Sequence, residues 1–407
     1  MKRVVITGIG AISPLGHDWT TVSAALKAQR NVVRYMSDWA EIEGLNTRLG
    51  APAAPFELPA HYNRKTTRSM GRNALMAVRA SEVALENAGL LGSPLVQSGR
   101  MGISYGSSAG TTSAICDFGN MMRDKTVDGV NATTYIKMMS HTAPVNMAVF
   151  FGITGRIITT SSACTSGSQG IGYAYETIRS GAQVAMLAGG SEELCPTEAA
   201  VFDTLFATST TNDHPELTPR PFDKKRDGLV LGEGACTLVL EEYEHAKTRG
   251  AHIYAEIVGF GTNCDGTHVT NPRAETMAIA MRLALEQSGV PTSQIGYVNA
   301  HGTATEQGDI AESQATAEVF QRAVPISSLK SYMGHTLGAC GALEAWISVA
   351  MMNEGWFAPT LNLTEPDPRC GALDYLADVR KLECEHVMSN NFAFGGINTS
   401  LIFKRVR

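Results

Sequence analysis

No C-x-x-C pair occurs among the eight cysteines of this 407-residue chain, which argues against a zinc site. No apolar stretch approaches the length of a membrane-spanning helix. The opening run Met1-Lys2-Arg3-Val4-Val5-Ile6-Thr7-Gly8 carries a basic pair, but its apolar part is too short for a secretory signal. There is no basic excess either. Lys and Arg number 33 against 39 Asp and Glu, a net charge of −6, so no global positive field draws the chain to nucleic acid or to an anionic membrane. A G-x-G-x-x-G dinucleotide fingerprint is also missing. These absences lead us to expect a reduced, cytoplasmic globular protein whose cysteines are mostly free thiols.

What is present is ordinary in composition, 44% hydrophobic and 18% charged, with material for a large core. Length suggests two or three domains. The chain reads as written twice. Lys2 to Leu15 is a strand running into a Gly-rich turn, and Ile253 to Gly266 repeats it. Ala-rich amphipathic helices follow, near Asn73 to Gly89 and Ala274 to Gly289, each ending in Gly. Each leads to a strand and a small-residue turn (Met101 to Ser108, Ile295 to Thr303), then to a second strand–turn–helix (Ile157 to Ser180, Ile326 to Met352). Paired strands close each copy, Val184 to Gly190 with Cys236 to Glu241 and His386 to Asn391 with Thr399 to Arg405. Alternating strands and helices predict an α/β fold with covered sheets. We expect two halves, 1–250 and 251–407. The first copy alone carries an insertion, Ala109 to Phe151, with Met121, Met122, Met138, Met139 and Met147. Met-rich apolar surface of this kind lines a tunnel, fills a core or forms an interface.

Three residues stand out chemically. Cys164 lies in Ile157-Ile158-Thr159-Thr160-Ser161-Ser162-Ala163-Cys164-Thr165-Ser166-Gly167, where a β-branched strand meets a cramped turn and a helix start. A helix N-terminus offers unpaired N–H groups and partial positive charge, which favour a thiolate nucleophile and can hold an oxyanion. The window equally suits a small buried residue. His301 follows a strand in Asn299-Ala300-His301-Gly302-Thr303-Ala304-Thr305. His335 sits in Lys330-Ser331-Tyr332-Met333-Gly334-His335-Thr336-Leu337-Gly338. Two Gly-flanked histidines at matched loop positions in one half, with a cysteine at the mirror position of the other, point to a shared site.

These windows, with Arg220-Pro221-Phe222-Asp223, Arg226-Asp227-Gly228-Leu229-Val230-Leu231-Gly232-Glu233-Gly234 and Asn391-Phe392-Ala393-Phe394-Gly395-Gly396, resemble in order and spacing the elongating β-ketoacyl-acyl-carrier-protein synthases. The resemblance spans nearly the whole chain. It implies a thiolase-like fold of duplicated halves in five α-β-α-β-α layers. It further implies that Cys164 takes an acyl group from a carrier-protein thioester, with the backbone N–H groups of Cys164 and Phe394 as oxyanion hole. His301 and His335 would then stabilise the enolate of decarboxylated malonyl-carrier protein. Lys330 and Glu344 would organise the histidines, and Thr303 and Thr305 would bond the phosphopantetheine arm. Phe394 would gate the acyl channel. No metal or redox cofactor is implied for the reaction, although some relatives hold a monovalent cation near residues matching Asn299, Glu344 and Ser389.

The same resemblance implies an acyl-carrier-protein partner docked on basic residues, here Lys65, Arg68 and Arg72, with Arg123 and Lys125 as further candidates. It also implies a homodimer, or a heterodimer with a chain-length-factor-like subunit. Several residues depart from the common pattern. Thr211 replaces a basic residue. Ala109 replaces a bulky Ile in the acyl pocket, Ala393 a Gly of the gate, and Cys340 an Ala. Together with the Asn31 to Leu49 region, these departures suggest a specialised branch such as aryl polyene assembly. The alternative reading is a silent chain-length-factor-like partner, but such chains usually carry Gln in place of the nucleophile. Starter-unit condensing enzymes carry one His and one Asn, and thiolases a second cysteine motif absent here.

Overall fold

The computed structural model describes residues 1–406. Each half contributes five strands in one repeated order to an 11-stranded sheet, which ends beyond the second half's five in a sixth short strand, Asp374–Tyr375. In the first they are β1 (Val4–Ile12), β2 (Met101–Gly106), β3 (Ile157–Thr159), β4 (Ala185–Glu192) and β5 (Gly234–Glu242). In the second they are β6 (Ala255–Cys264), β7 (Ile295–Asn299), β8 (Pro325–Ser327), β9 (His386–Phe392) and β10 (Ile397–Lys404). β5 runs antiparallel between β1 and β4, and β2 runs parallel between β4 and β3. β10, β9, β7 and β8 repeat that pattern from β6 outward. The halves meet edge to edge where Val4, Val5 and Ile6 pair with Ile257, Glu256 and Ala255.

Eight of the helices position the site or flank it. In chain order they are α1 (Arg72–Asn87), α2 (Thr112–Asp124), α3 (Ala132–Met138), α4 (Thr142–Phe151), α5 (Ser166–Arg179), α6 (Ala274–Ser288), α7 (Glu306–Phe320) and α8 (Cys340–Glu354). α1 packs on β1 and β5, and α6 packs on β6 and β10. α5 and α8 touch each other and strands of both halves, so they form a middle layer between the sheets. That is the five-layer α-β-α-β-α arrangement. The middle helices are small-residue and apolar nearly all round, as a helix covered on every side must be, and their buried faces run from Ser166 to Ile178 and from Cys340 to Met352.

The duplication extends to close contacts. A Cβ on Gly10 would collide with the carbonyl oxygen of Ala80 in α1, and a Cβ on Gly261 with that of Ala280 in α6. Glycine therefore lets each outer helix lie directly on its strand. The 109–151 insertion forms α2, α3 and α4 between β2 and β3. Of its methionines Met147 is buried in the core, whereas Met122 is exposed. Ile115, Val127, Tyr135 and Val149 also remain exposed, as does Ile157 on β3, a sheet-edge strand. No helix among the described residues is long and apolar enough to cross a membrane.

Candidate active site

Cys164 sits in a single 3-10 turn, Ala163–Thr165, between β3 and α5. Ala163 takes φ +50, a left-handed conformation costly for a residue with a Cβ. The turn is held from inside: Ser166 Oγ donates to Ala163 O at 2.7 Å and accepts from Ser162 N at 3.0 Å. The thiol is buried beside the imidazole of His335, whose Nε2 is 3.0 Å from Sγ. Burial pushes the thiol up to about 11, against the pull of the Lys330 charge and the backbone N–H groups of Phe394 and Cys164. The sequence led us to expect a thiolate favoured by the helix start. Instead the resting sulfur is a neutral thiol, because desolvation outweighs the positive groups around it. Those two N–H groups are nevertheless close enough to the sulfur to pull its pKa down.

His301 follows β7, and His335 precedes the turn into α8. Their rings meet edge to face with centroids 5.1 Å apart. Lys330 Nζ lies 3.2 Å and Asn391 Nδ2 lies 3.4 Å from His301 Nδ1. An ammonium and an amide N–H₂ can only donate. Nδ1 therefore accepts, and Nε2 carries the proton. Burial, then Lys330 and then His335 hold His301 well below the usual histidine range, and burial and Lys330 do the same for His335. Both rings are neutral. No partner fixes the tautomer of His335, since its Nδ1 is buried without a hydrogen bond.

Lys330 and Glu344 form a fully buried ion pair at 2.5 Å. Burial works against the Lys330 charge, but Glu344 keeps the ammonium protonated. The Glu344 carboxylate also accepts from Asn391 Nδ2 at 2.7 Å and from Asn299 Nδ2 at 3.4 Å, and Asn299 reaches Ser389 Oγ at 3.2 Å. Asn299, Glu344 and Ser389 thus come together, and the buried, unbonded Oδ1 of Asn299 would suit a hard monovalent cation. The Cys164, His301 and His335 donor atoms lie within 4.8 Å of one another, which resembles a metal-ligand triad. The Lys330 ammonium, in contact with one of those ligands, opposes a cation there.

A cavity of about 410 Å³ reaches Cys164, His301 and His335 and is also lined by Thr303, Thr305 and Phe394. Thr303 Oγ1 and Thr305 Oγ1 lie 2.9 Å apart on its wall. Phe394 stacks on Phe202, with centroids 5.0 Å apart. Ala109 does not line this cavity; it is half-buried, and its N–H points to Glu192 at 3.4 Å. Lys65 and Arg68 are exposed around a short helix, Arg64–Thr67. Arg72 is engaged by both carboxylate oxygens of Glu233, so its charge is already matched. Arg123 pairs with Asp124. Thr211 bonds Asp227.

Four contributors went unassigned in the sequence. Asn391 ties His301 to Glu344. Glu312 accepts from His301 N and Gly302 N at 2.7 Å each and so fixes the histidine loop. Glu192 gathers Ser107 Oγ, Ser108 N and Gly338 N and so links the two halves behind the nucleophile. Cys340 Sγ donates to Cys164 O at 3.2 Å.

Residues 1–246 match the family described as beta-ketoacyl synthase, N-terminal domain, and residues 254–364 match its C-terminal domain. The chain is 39% identical to a 3-oxoacyl-[acyl-carrier-protein] synthase 2 of Vibrio cholerae, over 100% of this chain and 99% of that one. A crystal structure of a beta-ketoacyl synthase from Burkholderia phymatum matches with a TM-score of 0.99 and 62% identity, covering 100% of both chains. The ishigamide ketosynthase/chain length factor matches with a TM-score of 0.89 and 30% identity, again over 100% of both chains.

Proposed function

The chain belongs to the β-ketoacyl synthase family, and from that premise we propose how its residues divide the work of a β-ketoacyl-acyl-carrier-protein synthase. It is an acyltransferase that condenses an acyl group with malonyl-carrier protein, and the fold is the ketosynthase, thiolase-like one. The observation that carries the residue assignment is the 3.0 Å contact between His335 Nε2 and Cys164 Sγ, beside a His301 whose Nε2 must bear its proton.

In the first stage His335 Nε2 takes the Cys164 proton as the sulfur attacks the thioester carbonyl. The N–H groups of Cys164 and Phe394 hold the oxyanion. The carrier's pantetheine sulfur leaves with the proton, and an acyl-Cys164 thioester remains. In the second stage the malonyl C–CO₂ bond breaks, and its electron pair forms an enolate. His301 Nε2–H donates to the enolate oxygen. His335, free to adopt either tautomer, donates beside it. The enolate carbon attacks the acyl carbonyl, CO₂ departs, the Cys164 sulfur leaves as a thiolate and takes a proton from solvent by way of His335, and the product is a 3-oxoacyl thioester two carbons longer. Two thioesters and a carboxylate account for every electron, so the reading assigns no metal or redox cofactor to the reaction.

Lys330 and Glu344 act as positioning residues through His301. Thr303 and Thr305 offer hydroxyls to the pantetheine amides. Ala109 is assigned to the acyl pocket on the resemblance alone. The partner is an acyl-carrier protein, as the name of the Vibrio relative states for that enzyme, docking on Lys65 and Arg68 with Arg72 at the margin. A homodimer is the proposed assembly, and the ishigamide match makes a chain-length-factor-like subunit the alternative. Supporting either, exposed Val149 belongs to α4, which packs on the sheet-edge strand β3 with its exposed Ile157. Cytoplasmic location and a specialised, aryl-polyene-type branch complete the proposal. The test is intact-mass analysis of the protein mixed with acyl-carrier protein, then malonyl-carrier protein. An acyl adduct lost in Cys164→Ala, followed by a 3-oxo product two carbons longer, is expected. Adduct formation in the alanine variant would overturn the assignment.

A further inference from the structure

Both carboxyl oxygens of Glu198 are buried, and neither has a hydrogen-bond partner, in a residue only 8% exposed. Buried polar groups are nearly always bonded, and an orphan calls for a cause. Glu198 lies in the helix Pro196–Asp203, four residues before Phe202 and so on the same face. Phe202 lines the cavity that reaches Cys164 and stacks on Phe394. Ala199 and Phe202 pack in one apolar cluster with Cys164. On the other side Glu192, whose carboxylate receives Ser108 N and Ala109 N, is near enough for its charge to act on both Cys164 and Glu198. Glu198 therefore shares a helix face with Phe202 and feels the Glu192 carboxylate that holds the Ser107–Ala109 turn. Glu198 does not itself line the cavity; it lies one helical turn from the Phe202 ring that does.

We propose that Glu198 reads the acyl chain carried on Cys164 by hydrogen-bonding a hydroxyl oxygen on that chain, so that the enzyme favours hydroxylated acyl groups over plain alkyl ones. The inference rests on the synthase reading above. Burial and the carboxylates of Glu192, Glu193 and Glu233 hold the Glu198 proton well above the usual range. The group is thus a neutral carboxyl, one donor and one acceptor, and a hydroxyl satisfies both. An alkyl chain leaves the carboxyl unpaired, which is the arrangement that discriminates most strongly.

The experiment offers the enzyme matched acyl-carrier proteins of equal length, one ending in a methyl and one in a hydroxyl, across a ladder of lengths, with malonyl-carrier protein in excess. At the best length the wild type is expected to favour the hydroxylated chain about tenfold in kcat/KM. Glu198→Gln, which keeps a donor and an acceptor, is expected to retain most of that preference. Glu198→Leu is expected to lose or reverse it, with thermal unfolding reporting that the variant is folded. Glu198→Met is read the same way should the leucine variant not fold. A wild type that favours alkyl chains at every length, or a preference unchanged in the apolar variant, overturns the inference and leaves the synthase reading standing. Elongation of neither chain overturns the synthase reading and this inference with it.

Discussion

Replacing Lys330 by Met tests the logic of the histidine site, because the side chain keeps its length and loses its charge. Two consequences follow from the geometry. Glu344 is left as a buried carboxylate with only amide donors, and breaking a buried ion pair from one side costs about 3–5 kcal/mol. His301 also loses the cation 3.2 Å from Nδ1. At an effective dielectric of ~20 a lone charge at that distance is worth about 5 kcal/mol. Glu344, 2.5 Å from the same ammonium, cancels much of it. The remainder is on the order of 1–2 kcal/mol. The sign is upward: without Lys330 the imidazolium is less disfavoured, and the His301 pKa climbs toward the ordinary histidine range. Burial, the larger cause of its depression, stays in place.

Malonyl-carrier-protein decarboxylation, followed from acid to neutral pH, reads this out. The wild type should show no acid limb from His301. Lys330→Met should show one, because a protonated His301 carries an Nδ1–H that opposes the Asn391 amide donor and turns the ring from its place, and its plateau should fall by about 10²–10³ as an enolate donor is loosened. Glu344→Gln is the control of opposite sign. It leaves the ammonium unpaired, keeps His301 depressed, and should lose stability without gaining an acid limb. Equal pH profiles for the two variants would refute the tautomer argument, as would a Lys330→Met enzyme that decarboxylates at the wild-type rate across the range.

Other expectations are simpler to check. His335→Ala should slow both acyl transfer to Cys164 and decarboxylation, whereas His301→Ala should slow decarboxylation far more than acylation; single-turnover measurement of each stage separates them. Charge reversal at Lys65 and Arg68 should raise the KM for acyl-carrier protein about tenfold with little change in kcat, and the effect should fade with added salt as exposed charges are screened. Ala109→Ile should shorten the longest acyl chain accepted, read from product lengths; an unchanged product distribution would remove Ala109 from the acyl pocket. Cys340→Ala removes one S–H bond to the Cys164 carbonyl and should cost about 1 kcal/mol or less in stability by denaturant unfolding.

Much of this was legible in the chain itself. Glycine-bearing strands followed by Ala-rich helices announced the doubled α/β fold, because close packing of Gly10 and Gly261 on their helices leaves a mark in the sequence. Cys164, His301 and His335 were legible for a related reason: small residues must surround a side chain delivered on a tight turn. The partners were not. Arg72 reads as a free surface cation until Glu233, 161 residues away, comes to meet it. Asn391 and Glu312 are single polar letters whose work appears only when β9 and α7 meet the histidine loops. The helix start suggested an acidic thiol, but desolvation is a property of the packed surroundings and has no signature in a window of ten residues.

The turn that carries Cys164 has a twin. Leu337, ahead of α8, takes φ +44 where Ala163 takes +50, and the residue after it, Gly338, stands where Cys164 does and merely donates its N–H to Glu192. The left-handed residue is therefore inherited by both halves of the fold, whether or not a nucleophile follows. Strain at Ala163 belongs to the repeated joint between strand and middle helix and is not particular to the nucleophile. Reactivity depends on the side chain that follows the contortion, and the sister half carries the contortion without one. Among the nine non-glycine residues at positive φ, strain alone would not single out the joint that carries the reaction from its twin.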